Sequence, residues 1–144
     1  MHNLKERIEV QQLFSVEDCL ANPNKLYIFG DNLLGVGKGG QAVIRDCPNT
    51  YGVPTKIMPN MKNHAFFSDN YEEVQETKDC LFTLHLYHRS GVFYSTCCFR
   101  TRLPILVFPS NGLGTGLSQM PTRSPKLYKL MNNLIYKYFG VYYE

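Results

Sequence analysis

Two short runs of consecutive apolar residues stand out in the pattern of hydrophobic and polar positions. They are Leu26–Phe29 and Leu103–Phe108, and turn residues lie next to both. Unbroken apolar runs of this length are typical of strands that are buried on both faces. We therefore predict that they are inner strands of a sheet. Weaker patterns predict a short edge strand within 7–14, a further strand over 51–57, and β character without an obvious partner over 92–99.

Helical periodicity is clearest between Tyr71 and Arg89. Ser124-Pro125 predicts the start of a second long helix that ends near Phe139, with Ser124 as its N-cap and proline at the first helical position. Shorter helices are predicted after Ser15, with Asp18 in the first turn, and over 41–46. One stripe of the 71–89 helix is expected to face the core, namely Val74, Thr77, Leu81, Leu84 and His88.

The predicted strands and helices alternate along the chain. This order favours a single domain over residues 1–144, an α/β/α sandwich with a mixed, mostly parallel central sheet. In such sheets, ligands bind beyond the carboxyl ends of the strands. Because a glycine-rich loop follows each of the two inner strands, we expect both loops to meet at that edge.

The first glycine-rich loop follows Leu26–Phe29. Glycine lets the backbone approach a ligand closely and leaves N–H groups free to bind an anion. Asp31 and Asn32 could hold hydroxyls or a base, and Lys38 adds a cation. A tight turn built of glycines is the alternative interpretation. Besides Asp31 and Lys38, the candidate ligand-binding residues of this loop are Gly30, Asn32, Gly37, Gly39, Gly40 and Gln41.

The second glycine-rich loop follows Leu103–Phe108, and a flexible connector is its alternative interpretation. Pyrophosphate would be a natural guest for two facing loops of this kind. A third strand end offers Thr55 and Lys56, unless that strand simply exits to solvent. Neither loop has the P-loop or the Gly-x-Gly-x-x-Gly pattern. The candidate residues of the second loop are Ser110, Asn111, Gly112, Leu113, Gly114, Thr115 and Gly116.

Composition, charge and residue spacing argue against several classes of function. The 144 residues carry a formal net charge of +3, too small an excess to indicate nucleic-acid binding. No apolar run approaches the roughly 20 residues of a membrane span, and no signal peptide is evident, so we expect a cytoplasmic protein. Its five cysteines lack disulfide or metal spacing and are expected to be reduced, with Cys97–Cys98 as a buried strand pair. His85 and His88 lack a third ligand, so no metal and no cofactor are expected.

Several motifs carry a family resemblance. The chain resembles a family of small, uncharacterised proteins from phages and bacteria, and at greater distance its layout is similar to that of macrodomains. The shared segments are Tyr27-Ile-Phe-Gly-Asp-Asn, Gly37-Lys-Gly-Gly-Gln-Ala-Val-Ile-Arg, Gly52-Val-Pro-Thr-Lys, and Phe108-Pro-Ser-Asn-Gly-Leu-Gly-Thr-Gly-Leu with Met120-Pro-Thr-Arg-Ser-Pro. The macrodomain Asn-Ala-Ala-Asn motif is absent, and Gly30-Asp-Asn stands near its place.

The resemblance implies binding of an ADP-ribose-like or cyclic nucleotide, in a phage within the host cytoplasm as part of an anti-defence response. The protein would sequester or hydrolyse a nucleotide signal, or reverse ADP-ribosylation. If it hydrolyses its ligand, Asp31 would be the base and Lys38 the electrophilic partner. Because the second loop would then wrap a diphosphate, Gly114→Val is expected to lower ligand affinity about a hundredfold or more while the protein still folds. The alternative is a non-enzymatic inhibitor that docks on a host protein through tyrosine and phenylalanine side chains, and a homo-oligomer contact is a lesser alternative.

Overall fold

The computed structural model of the chain describes residues 7–90, 92–94, 100–102 and 105–143. The strands are β1 (Ile8–Gln11), β2 (Lys25–Asn32), β3 (Thr50–Lys56), β4 (Val92–Tyr94), β5 (Arg100–Arg102) and β6 (Ile105–Pro109). The α-helices are α1 (Val16–Ala21), α2 (Tyr71–Ser90), α3 (Met120–Arg123) and α4 (Pro125–Phe139), and the 3₁₀ helices are Gly40–Ile44 and Asn63–Ala65.

The main sheet has four parallel strands in the order β1-β6-β2-β3. The predicted inner strands are confirmed, because β6 and β2 are hydrogen-bonded on both sides and β1 lies at an edge, as expected. Leu103 and Pro104, at the start of the predicted second run, lie outside the described residues. Of the β character predicted over 92–99, the part in β4 pairs antiparallel with β5, separate from the main sheet, and residues 95–99 lie outside the described residues.

Successive residues of the inner strands face opposite sides of the sheet, as the strand period requires. Leu26, Ile28 and Phe108 pack with α2 and α4 in one buried cluster. Tyr27 and Phe29 belong to a second cluster on the other face, with side chains of α1 and of the first 3₁₀ helix. The fold is therefore α/β, with helices on both faces of a parallel sheet.

The capping hydrogen bonds at the helix starts agree with the sequence prediction for α1 but differ from it for α4. Ser15 and Asp18 form a reciprocal capping box at α1, as predicted. Ser124 is the N-cap residue of α4 and proline follows it, as predicted, but the Ser124 side chain makes no capping hydrogen bond. The carboxylate of Asp69 caps α4 instead, accepting from the N–H groups of Lys126 (3.3 Å) and Leu127 (2.9 Å). The short helix expected over 41–46 is the first 3₁₀ helix.

The two inner strands send their chains to opposite faces of the sheet. After β2 the chain leads to the first 3₁₀ helix, and after β6 it leads to α3 and α4 on the other face. Neighbouring parallel strands whose connections leave on opposite faces create a crevice at their carboxyl ends, where α/β proteins bind ligands. The glycine-rich loops border this crevice.

In the described ranges, no helix is both long and apolar enough to cross a membrane. The same residues contain no group of three or more side chains that could hold a metal ion. Cys19, Cys47 and Cys80 are free thiols. The pair Cys97–Cys98 lies outside the described residues.

Candidate functional site

The crevice between β2 and β6 is an open cleft of about 430 Å³. Its volume lies in the range of small-molecule binding sites. Both glycine-rich loops line it, as do the end of β3 and Gln12–Leu13 after β1. The predicted residues that it brings together are Gly30, Asp31, Asn32, Gly37, Gly39, Gly40, Gln41, Thr55, Lys56, Asn111, Gly112, Leu113, Gly114, Thr115 and Gly116.

Two predicted residues do not line the cleft. Lys38 is exposed and forms an ion pair with Asp46 at 2.5 Å. That contact holds the pKa of the Asp46 carboxyl below its usual value. Ser110 is exposed at the start of the second loop and lies outside the lining. The structure therefore does not place the Lys38 ammonium beside Asp31.

Asp31 lies at the tip of β2, and both of its carboxylate oxygens bind Arg45. The distances are 2.9 Å from Nη1 to Oδ2 and 2.6 Å from Nη2 to Oδ1, and both side chains are about 85% buried, at 14% and 15% exposure. Asp31 Oδ1 also accepts from the N–H of Asn32 at 2.7 Å. Such bidentate pairs are geometrically specific. The carboxylate is thus engaged in holding the loop.

Arg45 also determines how the first loop presents its backbone. Its Nε donates to the carbonyl of Gly37 (2.8 Å) and its Nη2 to that of Val36 (3.2 Å). Arg45 is not among the residues that line the cleft. The described peptide bonds are trans, so each carbonyl points opposite to the next N–H. The N–H groups of Gly37 and Lys38 therefore point away from Arg45.

In the second loop, too, bonded carbonyls fix the direction of the following N–H groups. Gly114 accepts from the N–H of Met120 at 2.9 Å, and Gly116 accepts from that of Gln119 at 3.1 Å. With these carbonyls directed towards α3, the N–H groups of Thr115 and Leu117 point away from it. The Thr115 hydroxyl donates to the carbonyl of Asn111 at 3.1 Å and tightens the same turn.

The two loops that border the cleft consequently contain many unused backbone donors. Within the part of the chain that the structure describes, the N–H groups of residues 36–41 and 113–118 have no acceptor. Gln41 adds a side-chain donor of fixed direction, because its Oε1 accepts from the N–H of Phe14 at 3.1 Å. Its Nε2 has no acceptor in the described chain. A run of free N–H groups favours an anion.

Asn32 and Thr55, which were predicted to contact a ligand, make hydrogen bonds within the protein. Asn32 donates from Nδ2 to the carbonyl of Val36 (2.7 Å) and accepts from the N–H of Leu34 (3.1 Å), so its side chain shapes the first loop. Thr55 is fully buried and lies at a bulge in the pairing of β2 with β3. Its hydroxyl contacts the carbonyl of Asp31 (3.1 Å) and the hydroxyl of Ser118 (2.6 Å), which ties the second loop to β3.

The expectation that Gly114→Val would leave the fold intact is wrong. Gly114 has a φ of +76°, and a Cβ added there would overlap Sδ of the fully buried Met120 and lie 2.7 Å from its Cγ. The substitution would disturb the core as well as the cleft, since Gly114 packs directly against Met120 of α3. Gly116 differs, because its φ is ordinary and a Cβ added there meets no atom within 4 Å.

Sequence reasoning missed the roles of Arg45 and Ser118. Arg45 is the last residue of the motif that begins at Gly37. The sequence therefore shows an arginine at this position, but it does not show that this arginine binds Asp31. Its partners were not visible because they lie 8 to 14 residues away in the chain. Leu117 was also missed. Its Cδ1 lies 3.1 Å from where a Cβ on Gly39 would stand, so the two loops touch above the cleft.

Comparison with known proteins gives a family but no activity. The model of a "Family of unknown function (DUF7831)" matches residues 9–134. No curated protein matches the chain. No solved structure matches it either.

Proposed function

The chain belongs to this family of unknown function, and we propose that it binds a phosphate-bearing nucleotide in the cleft between β2 and β6. The single observation that supports the proposal best is the set of free backbone N–H groups from two facing loops. The ligand class that we propose is ADP-ribose-like or a cyclic nucleotide, as the resemblance to macrodomains implies.

The polarity of the cleft supports an anionic ligand. Among the described residues that line it, Asp31 and Lys56 carry formal charge. Arg45 neutralises the carboxylate, whereas the described residues place no carboxylate at ion-pair distance from Lys56. Besides apolar side chains, the remaining lining includes residues of both loops whose backbone N–H groups have no acceptor among the described residues. Backbone donors of this kind bind phosphate oxygens through charge-assisted hydrogen bonds.

Binding is favoured over hydrolysis by the state of Asp31. A general base needs a free oxygen within reach of the proton that it accepts. Both Asp31 oxygens are held by Arg45, and Lys38 lies outside the cleft. We therefore propose that the protein sequesters its ligand, and that Asp31 acts through the shape of the loop.

Calorimetric titration with adenosine, AMP, ADP, ADP-ribose and cyclic dinucleotides tests the proposal. We expect affinity to rise from adenosine to ADP-ribose, because the phosphates meet the free N–H groups. If none of these compounds binds the wild-type protein at millimolar concentration, the proposal fails. The alternative that the site docks a protein partner would then gain support.

Gly116→Val is the variant of choice, because Gly116 lines the cleft and a Cβ added there meets no atom of the protein. Gly116→Val should remove two charge-assisted hydrogen bonds, each worth roughly 1.5–3 kcal/mol. The affinity for the ligand should therefore fall at least about a hundredfold. Ser110→Val is the matched control, since it adds the same side chain to the same loop outside the cleft. Equal affinities of the two variants for ADP-ribose would refute the role of the second loop. Chromatography of the incubated ligand shows whether it is hydrolysed.

A further inference from the structure

Lys56 is a buried cation at one end of the cleft. It is the last residue of β3, its exposure is 5%, and it lines the cleft. Its Nζ donates to the carbonyl of Asn60 at 2.7 Å and lies 3.5 Å from Sδ of Met61. An ammonium group has three N–H donors, and a thioether is a weak acceptor. The side chain is therefore held in place but only partly satisfied.

A second cation lies beside it. Lys56 Nζ is 4.6 Å from the ring centre of Phe66, and Cζ of Arg123 is 3.7 Å from the same centre. Arg123 donates to the neutral side chains of Gln119 and Asn63. Burial, and then the charge of Arg123, lower the pKa of Lys56 below its ordinary value.

No carboxylate of the described residues compensates these charges. The ion pairs found among the described residues are Lys25–Glu9, Lys38–Asp46 and Arg45–Asp31. A buried charge without a counter-ion is unfavourable, and proteins usually pair it. The aromatic ring offsets only part of this penalty. An anion in the cleft beside Lys56 would supply the missing partner.

We propose that Lys56 forms a second anionic subsite, so that the ligand carries two phosphates rather than one. This inference rests on the proposed function: the N–H groups of the two loops bind one phosphate, and the ammonium of Lys56 binds the next. The preferred ligand class is therefore a diphosphate, with inorganic pyrophosphate as its minimal form.

Titration of pyrophosphate against three variants tests this subsite. Lys56→Met keeps the apolar stem over Phe66 but removes the charge, and we expect roughly tenfold or greater loss of affinity. Lys62→Met removes the same charge from an exposed position in the neighbouring loop and should change affinity less than twofold. Gly116→Val reports on the loop amides independently. Melting temperatures are measured for each protein without ligand.

The melting temperature separates a ligand-binding lysine from a structural one. Removing an uncompensated buried charge should leave the melting temperature of Lys56→Met unchanged or raise it. A marked fall would show that the bond to Asn60 is structural, and would overturn the subsite. If Lys56→Met binds pyrophosphate as wild type does while Gly116→Val does not, the subsite is wrong and the proposed function stands. If wild type does not bind pyrophosphate, the phosphate-binding function itself fails.

Discussion

Gly114→Ala should destabilise the protein far more than Gly116→Ala, although the two glycines lie two residues apart in one loop. At Gly114 the backbone has a φ of +76°, which is unfavourable by about 1–2 kcal/mol for an L-residue. The added Cβ also overlaps Met120, and overpacking of this kind reduces stability by about 1–3 kcal/mol. We therefore expect the free energy of unfolding to fall by about 2–5 kcal/mol.

Urea unfolding monitored by circular dichroism measures this difference. With a slope of about 2 kcal/mol per molar urea, the midpoint of Gly114→Ala should fall by about 1–2.5 M. Gly116→Ala has an ordinary φ and open space around its Cβ, so its stability should stay equal or rise by up to about 1 kcal/mol.

The overlap with Met120 can be isolated by a double-mutant cycle. Met120→Ala alone should cost about 2–5 kcal/mol through the cavity that it leaves. Combined with Gly114→Ala, it removes the atoms that the new Cβ would meet, so the double variant should be less destabilised than the sum of the single ones. Wild-type stability of Gly114→Ala, or strict additivity in the cycle, would refute the packing argument.

Three further predictions concern side chains around the fold. Asp31→Asn and Arg45→Met should each lower the free energy of unfolding by about 3–5 kcal/mol, and the double variant by clearly less than their sum; additivity in urea unfolding would contradict the buried ion pair. Gly52→Ala should destabilise by about 1–3 kcal/mol, because a Cβ there would lie 2.6 Å from Asp31 Oδ2, and an unchanged urea midpoint would contradict this. Burial, followed by the charges of Arg89 and Lys137, lowers the pKa of His85, so the unfolded state binds more protons between that pKa and about 6.5. Stability should therefore fall on acidification through this window, and His85→Phe should show a smaller loss of melting temperature between pH 7.5 and 5; equal losses would refute the assignment.

The inner strands and the glycine-rich loops could be predicted from sequence because their signals are local. An apolar run bounded by turn residues indicates a buried strand, and parallel strands bring their carboxyl ends to one edge. Most candidate residues of the two loops accordingly line the cleft, with Lys38 and Ser110 as exceptions. The α1 capping box was predictable for the same reason, since its two members are three residues apart.

Long-range pairings could not be predicted in this way. The capping hydrogen bonds of α4 come from Asp69, 58 residues before Leu127, and not from the side chain of Ser124, which no local pattern shows. Asp31 looks like a candidate base until the path of the loop brings Arg45 against both of its oxygens. Gly114 looks like a loop glycine until Met120 is seen beneath it. In each case the missing information is the tertiary position of a partner.

The strand order also bears on how the chain acquires its structure. β1 pairs with β6, so residues 8–11 align with residues 106–109, nearly one hundred positions later. As the chain leaves the ribosome, β2 and β3 can pair early, whereas β1 must wait until most of the polypeptide has emerged. Contacts of such wide sequence separation slow folding, because a long loop must close before they form. Insertion of β6 between two strands made much earlier should therefore be the step that commits the chain to its native topology, and the cleft exists only after that step.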